Sequence, residues 1–255
     1  MLLAIDVGNS KIAVGIFEAD RLKTSVSMAT SIHRLEDEYA SLLFNLLSYH
    51  EIARSDVKEA IMCSVVPPLV QVFQRLCDRY LGIPLLAVGP GVKTGVRINM
   101  DNPREVGPDR IVNAAAAYRL YGGPAIVIDM GTATTFDVVS KEGDYLGGAI
   151  APGMEVAAEA LYARTARLPR IELARPQNAI GKNTVAAMQS GVIFGYTGLV
   201  EGLTARLEKE LGEKPRVIAT GGYAEVIAQE TRVIEVVNRD LTLLGLQLIH
   251  EINQH

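Results

Sequence analysis

The sequence predicts an α/β protein built from two similar halves, and three observations support this prediction. Short apolar runs alternate with longer segments in which apolar residues recur at helical spacing. Each half reads as β-β-β-α-β-α-β-α, and the halves open alike, with AIDVGNS at residues 4–10 and VIDMGTA at residues 127–133. A repeat of about 120 residues is too long for a solenoid unit. We therefore expect a duplicated domain, divided as 1–120 and 121–255, with a cleft between the two opening hairpins; coincidence is the alternative, because Asp-x-Gly is short and common.

The first half contains five predicted strands and three predicted helices. The strands are short and either apolar or alternating, which is typical of buried and half-buried strands. They cover residues 2–5, 12–17, 21–28, 58–66 and 84–89. The helices have apolar residues three and four positions apart, and they cover residues 34–50, 68–82 and 109–123. Pro67 and Pro68 end one strand, and Gly82, Gly122 and Gly123 end helices.

The second half repeats this pattern. Its strands are predicted at residues 125–131, 134–140, 145–150, 215–222 and 232–237. Its helices are predicted at residues 154–164, 184–211, 223–230 and 240–253.

Composition and charge exclude several classes of protein. The 25 basic and 29 acidic residues give a net charge of −4, which argues against non-specific binding of nucleic acid. Two cysteines do not form a disulfide framework in a chain of 255 residues. No apolar run approaches the ~18 residues of a membrane span, and Asp6 interrupts the apolar start before a secretion signal can form. We expect a cytoplasmic protein that binds neither nucleic acid nor a membrane.

The first predicted hairpin carries more polar groups than a turn needs. A glycine lets a ligand approach the backbone closely, and main-chain N–H groups and polar side chains beside it can bind phosphate. An acid at the end of the buried strand can hold Mg²⁺ through water. Lys11, which follows the turn, is either a further phosphate contact or an ordinary exposed strand residue. The predicted phosphate site comprises Asp6, Val7, Gly8, Asn9, Ser10 and Lys11; the alternative is a polar turn.

The segment DNPREVGPDR leads into an alanine-rich helix that begins at Asp109. An acid at this position can cap the helix, or it can orient a substrate hydroxyl. The helix dipole makes the carboxylate a weaker base, but phosphoryl transfer tolerates this because bonding to the nucleophile is slight in a loose transition state. A cap alone would not need Arg110 or the preceding glycine and long polar loop, so we favour the second interpretation.

The second half supplies a matching hairpin in IDMGTATTFD, with Asp129 and Thr132. Gly221 and Gly222 follow a strand, either to meet an adenosine or to allow tight packing. Thr184 stands at a helix start, either as an N-cap or as a ligand contact. Two other nucleotide signatures are absent: GPGVKTG lacks the spacing of a P-loop, and no GxGxxG follows a strand.

Five segments occur in a characteristic order and at characteristic separations: DVGNS, NPREVGPDR, DMGTATTFD, GGAIAPG and GKNTVAAMQSGVIFGYTGLVEG. Together they resemble the type III pantothenate kinase family, over nearly the whole chain. This family belongs to the superfamily of acetate and sugar kinases, heat-shock cognate proteins and actin. The resemblance implies duplicated actin-like (ribonuclease H-like) domains, in agreement with the repeat.

The resemblance also implies an activity and residue roles. It implies an enzyme that phosphorylates pantothenate with ATP and Mg²⁺, the first step of coenzyme A biosynthesis, as a homodimer activated by K⁺ or NH₄⁺. Asp109 becomes the proton acceptor and Asp129 the K⁺ ligand. The ATP phosphate cradle becomes residues 6–11 with Thr132, and Asp6 also serves Mg²⁺ through water. The implied pantothenate contacts are Gly107, Pro108, Asp109, Arg110 and Thr184.

Two positions depart from the pattern of many members. Ser10 replaces a threonine and keeps the hydroxyl, whereas Met100 replaces a tyrosine and leaves only apolar packing. Two alternative functions stay open: another small-molecule kinase of the same superfamily, since fold does not fix substrate, and a non-enzymatic accessory factor for transcription.

Overall fold

The computed structural model describes residues 1–254 as an α/β protein with ten strands and seven α-helices among them. The strands are β1 Leu2–Val7, β2 Lys11–Glu18, β3 Arg21–Ala29, β4 Glu59–Ser64, β5 Leu85–Ala87, β6 Ala125–Met130, β7 Ala133–Val139, β8 Tyr145–Pro152, β9 Arg216–Gly221 and β10 Val236–Val237. The helices are α1 Glu36–Tyr49, α2 Pro67–Leu76, α3 Pro108–Tyr121, α4 Met154–Arg164, α5 Thr184–Leu211, α6 Ala224–Ala228 and α7 Leu241–Asn253. A π-helical turn, Cys77–Leu81, extends α2 to Gly82. None of these helices combines the length and apolar character needed to cross a membrane.

The strands form two sheets of the same topology. The first sheet has the order β3-β2-β1-β4-β5 and the second the order β10-β9-β6-β7-β8. In each sheet the opening strand pairs antiparallel with the next strand and parallel with the strand that follows the helices. The duplicated β-β-β opening predicted from AIDVGNS and VIDMGTA is therefore confirmed. The second half differs from the first in one respect, because α4 and α5, both predicted from the sequence, follow each other without a strand between them.

The chain divides into two compact units, one around each sheet. The first unit contains residues 1–97, 101–116 and those from 240 on; the second contains residues 98–100 and 117–239. These units differ from the predicted boundaries of 1–120 and 121–255, because α7 packs with the first sheet. Leu243, Leu246 and Ile249 of this helix are buried in the core of the first unit. These units do not test where the repeat in the sequence divides, so the boundaries 1–120 and 121–255 of the two repeats stay a prediction.

Strand β1 is buried on both faces, which explains its nearly continuous apolar sequence. Successive side chains of a strand point to opposite faces. Leu3, Ile5 and Val7 join the core that contains residues of α1 and α2. Leu2 and Ala4 join the core that contains residues of α3 and α7. Asp6 continues the second series, so it lies on the face that α3 covers.

Helix α7 lies close against α3 because it has a glycine at the contact. A Cβ atom at Gly245 would lie 2.4 Å from the carbonyl oxygen of Val112. A hydrogen bond from the Thr242 hydroxyl to the Asn113 side-chain oxygen, 2.8 Å long, joins the same two helices. These contacts fix the position of α3, whose first turn carries Asp109.

Candidate active site

The β1–β2 hairpin is held by main-chain hydrogen bonds and by a threonine from the end of β3. The N–H group of Gly8 donates to the carbonyl oxygen of Lys11 over 3.0 Å, and a Cβ at Gly8 would lie 3.0 Å from that oxygen. The Thr30 hydroxyl donates to the Gly8 carbonyl over 2.7 Å, and the Thr30 N–H donates to the Ser10 carbonyl. Asn9 and Ser10 stand exposed at the tip. The hairpin was predicted from the sequence, but the two hydrogen bonds by which Thr30 holds it were not.

Asp6 lies near the end of β1 between two side chains of the neighbouring strands. Its register partners are Ala13 on β2 and Cys63 on β4. The Cys63 thiol, which is fully buried, donates a hydrogen bond to Oδ1 of Asp6 over 3.3 Å. Burial raises the pKa of the Asp6 carboxyl to about 6, although the Cys63 hydrogen bond opposes the shift. Burial and the nearby acids raise the pKa of the Cys63 thiol well above its usual range, so the sulfur keeps its proton.

Asp109 occupies the first turn of α3, after Gly107 and Pro108. The carbonyl of Gly107 accepts hydrogen bonds from the N–H groups of Arg110 and Ile111, so Gly107 takes the N-cap position. Oδ1 of Asp109 accepts the N–H of Arg110 over 2.8 Å. A Cβ at Gly107 would lie 2.5 Å from that carboxylate oxygen, so the glycine leaves room for it. Asp109 is therefore not the N-cap, which was the alternative interpretation of its position.

The two acids share one neighbourhood in the first unit. Burial raises the pKa of Asp109, while the hydrogen bond from the Arg110 N–H and the Arg110 charge act against the rise. The negative charge of Asp109 in turn helps to raise the pKa of Asp6. Two half-buried carboxylates with raised pKa values, beside a polar hairpin, are typical of a functional site rather than of a structural ion pair.

The second hairpin, between β6 and β7, lies against the start of α4. The N–H of Gly131 donates to the carbonyl of Ala133, and the carbonyl of Thr132 accepts the N–H of Gly153, both over 3.0 Å. A Cβ at Gly153 would lie 2.3 Å from the Gly131 oxygen and 2.4 Å from the Thr132 oxygen. The hairpin and the N-terminus of α4 therefore meet backbone to backbone.

Asp129 occupies the position in β6 that Asp6 occupies in β1. Its register partners are Thr135 on β7 and Thr220 on β9. Thr220 is buried, and the Thr135 hydroxyl donates to Oδ2 of Asp137 over 3.1 Å. Asp129 thus has a threonine at the paired position on each neighbouring strand.

Three further predicted positions lie in the second unit. Thr184 is exposed at the start of α5, but Asn183 is the N-cap, accepting the N–H of Ala186 over 2.8 Å. Gly221 has φ +91° and its Cβ would lie 2.6 Å from the Met130 oxygen, so packing requires this glycine. Gly222 has open space beside it. The N-cap interpretation of Thr184 is therefore wrong, and the packing interpretation holds for only one of the two glycines.

The donor set can be tested against a divalent cation. Among residues 1–254, no cluster of three or more His, Cys, Asp or Glu side chains could hold a metal ion. Mg²⁺ keeps several waters and is usually held by one or two carboxylates together with phosphate oxygens. Asp6, with the polar β1–β2 hairpin adjoining it, fits that mode of binding.

The comparisons with known proteins agree with this geometry. A family model described as type III pantothenate kinase matches residues 2–206. A type III pantothenate kinase of Dehalococcoides mccartyi strain CBDB1 is 53% identical over 99% of this chain and 96% of its own length. Its counterpart from strain 195 of the same species is 52% identical, covering 99% of this chain and 98% of its own length.

Solved structures share the fold at low sequence identity. A Campylobacter jejuni protein assigned to the Baf family of transcriptional activators has a TM-score of 0.63 at 19% identity, covering 99% of this chain and 98% of its own. The activator of 2-hydroxyisocaproyl-CoA dehydratase from Clostridium difficile has a TM-score of 0.57 at 14% identity, covering 99% of this chain and 96% of its own. Such likenesses show the fold alone, which is the predicted duplicated actin-like fold.

Proposed function

Because the chain belongs to the type III pantothenate kinase family, we infer that it is a kinase that transfers the γ-phosphoryl group of ATP to the primary hydroxyl of pantothenate, opening coenzyme A biosynthesis. The observation that carries this proposal is the pair of half-buried carboxylates with raised pKa values, Asp6 and Asp109, beside the β1–β2 hairpin. A kinase needs one acid for the metal–phosphate group and another for the hydroxyl. The first unit supplies both.

Asp109 is proposed as the proton acceptor. Its raised pKa makes it a stronger base than a surface aspartate. The hydrogen bond from the Arg110 N–H fixes the carboxylate in one orientation, and orientation matters more than basicity when the transition state is loose. Gly107, Pro108 and Arg110 are proposed to contact pantothenate, with the Arg110 guanidinium available for its carboxylate.

The ATP phosphates are proposed to bind residues 6–11 and Thr132. Gly8 brings the backbone close to the ligand, and Asn9, Ser10 and Lys11 place polar groups around it. Asp6 would hold Mg²⁺ through water, and the bound ion would offset phosphate charge. Thr132 adds a hydroxyl at the second hairpin, where α4 begins.

A monovalent cation is proposed at Asp129. The half-buried strand position and the threonines on both neighbouring strands support a site of hard oxygen atoms. K⁺ or NH₄⁺ there would further reduce the negative charge near Thr132.

We propose a homodimer on the basis of helix α5. Gly191, Gly195, Gly198 and Gly202 recur at three- and four-residue spacing, so they share one face of the helix. Space beside the first three is open. Exposed Ile180 and Val185 lie near the start of the same helix. A face without side chains lets a second copy approach closely, and this would place Thr184 near the interface.

The two alternatives have less support. The Campylobacter jejuni structure supports only the shared fold, and a net charge of −4 does not favour DNA binding. Another kinase of the superfamily would lack the whole-length identity to pantothenate kinases. A cytoplasmic location is proposed with the enzyme, in keeping with two free cysteines.

The test is ADP release from ATP with pantothenate, with the product identified by mass, and repeated with Na⁺ in place of K⁺. We expect pantothenate-dependent turnover that falls in Na⁺. Turnover indifferent to the cation would contradict the Asp129 assignment alone. Turnover with a different alcohol and not with pantothenate would favour the other kinase.

A further inference from the structure

Cys63 lies in the apolar run AIMCSVV, and its thiol contacts a proposed functional acid. The residue is fully buried on β4, and its Sγ lies 3.3 Å from Oδ1 of Asp6. The parallel register of β1 and β4 sets the two residues side by side. The contact therefore follows from the sheet and does not depend on a mobile loop.

Cys63 is the one neighbour of Asp6 in the sheet that can donate a side-chain hydrogen bond. On the other side, Asp6 pairs with Ala13, whose methyl group offers no donor. The second unit has the same arrangement with a different residue, because Asp129 pairs with Thr220 on the strand equivalent to β4. In both units the side chain beside the acid is small, buried and able to donate.

We propose that Cys63 is a positioning residue that orients the Asp6 carboxylate for magnesium-nucleotide binding. The thiol binds Oδ1 and thereby fixes the plane of the carboxylate, so that Oδ2 would be the oxygen that meets the waters of a bound ion. Groups that hold metal-binding side chains in this way typically change metal affinity by about 10–100-fold when removed. A thiol is a weak donor, so the lower end of that range applies. This inference rests on the proposed role of Asp6 in the kinase.

The test measures Mg²⁺-dependent binding of ADP to the whole protein by titration calorimetry, which requires no turnover. Cys63→Ala is expected to weaken MgADP binding by about tenfold. Cys63→Ser keeps a donor and should restore binding to within about twofold. In an Asp6→Asn background, Cys63→Ala should have no further effect, because the thiol acts only through the carboxylate.

The second cysteine provides a matched control. Cys77 is also fully buried, but it lies in the core between the first sheet and helices α1 and α2. Cys77→Ala removes the same atoms from a core, so it should lower stability comparably and leave MgADP affinity unchanged.

Two results with the cysteine variants would overturn the proposal. One is a MgADP affinity for Cys63→Ala equal to that of Cys77→Ala. The other is a loss in Cys63→Ser as large as that in Cys63→Ala. Wild-type ADP binding that ignores Mg²⁺ would remove the magnesium role of Asp6 and this proposal with it, whereas pantothenate turnover would still stand as the proposed function.

Discussion

At the scale of single residues, the candidate site contains two acids, Asp6 and Asp109, whose pKa values are raised by burial. Asp6 and Asp109 were both predicted from the sequence, because each follows or precedes an apolar element in a polar setting. Cys63 and Thr30 were not predicted as part of the site. They lie 57 and 22 positions from their hydrogen-bond partners, and only strand register brings them there. A single sequence carries no signal for such contacts.

The cost of burying Asp6 gives a first prediction about stability. Its pKa is about 6 in the folded protein, against an ordinary value of 3.8, so its contribution to the free energy of unfolding is complete below pH 3.8 and is lost as pH rises through 6. Asp6→Asn should therefore raise that free energy by about 1–3 kcal/mol at pH 8, and the gain should vanish towards pH 4.

Urea unfolding without nucleotide or Mg²⁺ at pH 8 and near pH 4 measures this difference. Asp20→Asn, at an exposed turn, serves as the control and should show no comparable gain. An Asp6→Asn protein that is less stable than wild type at pH 8 would contradict the account, since it would mean that the ionised carboxylate stabilises the fold.

At the scale of elements, each hairpin depends on the helix or strand that holds it. Most strands, the long helix α5 and the helix from Met154 to Arg164 were predicted almost as observed. The strand predicted at 232–237 is reduced to Val236–Val237, since little of it pairs with β9. The close approach of Gly153 to the second hairpin could not be predicted, because it depends on where two backbones meet.

The contact at Gly153 gives a second prediction. Its φ of −72° and ψ of 160° suit any residue, so only the carbonyl oxygens beside it exclude a side chain. Gly153→Ala should lower the free energy of unfolding by about 1–3 kcal/mol and weaken ATP binding at Thr132.

Gly222→Ala is the matched control, because the space beside Gly222 is open. It should change stability by less than about 0.5 kcal/mol. Thermal unfolding of both variants without ligand decides the comparison. Equal stability of the two proteins would show that the backbone contact at Gly153 is not a constraint.

The glycine face of α5 gives a third prediction. In a helix facing water, Gly195→Ala should stabilise the protein by about 1 kcal/mol. If a second copy covers this face, the added methyl group should instead weaken the dimer, by about tenfold in Kd for 1.4 kcal/mol of lost packing. Sedimentation velocity over a range of concentrations distinguishes the two. A variant that is more stable and unchanged in association would contradict the proposed interface.

At the scale of the whole molecule, the sequence predicted the duplication but did not predict that the last helix, α7, packs in the first unit. Two sheets of identical topology follow from two similar openings. Helix α7 returns to the first unit, although its position in the sequence placed it in the second. The apolar periodicity of α7 predicts a helix that packs on a sheet, but it does not indicate which of the two sheets. The contact between Gly245 and Val112 that selects the first depends on three-dimensional packing.

The central claim is that this molecule transfers phosphate to pantothenate with Asp109 as the acceptor of the hydroxyl proton. The most direct measurement is the turnover number and the pantothenate affinity of Asp109→Asn beside wild type, with Asp20→Asn as the control. Removing a positioned base should reduce kcat by about 10²–10⁴-fold, while pantothenate still binds. A variant that keeps full turnover would contradict the role of Asp109, and wild-type protein without pantothenate-dependent turnover would contradict the function itself.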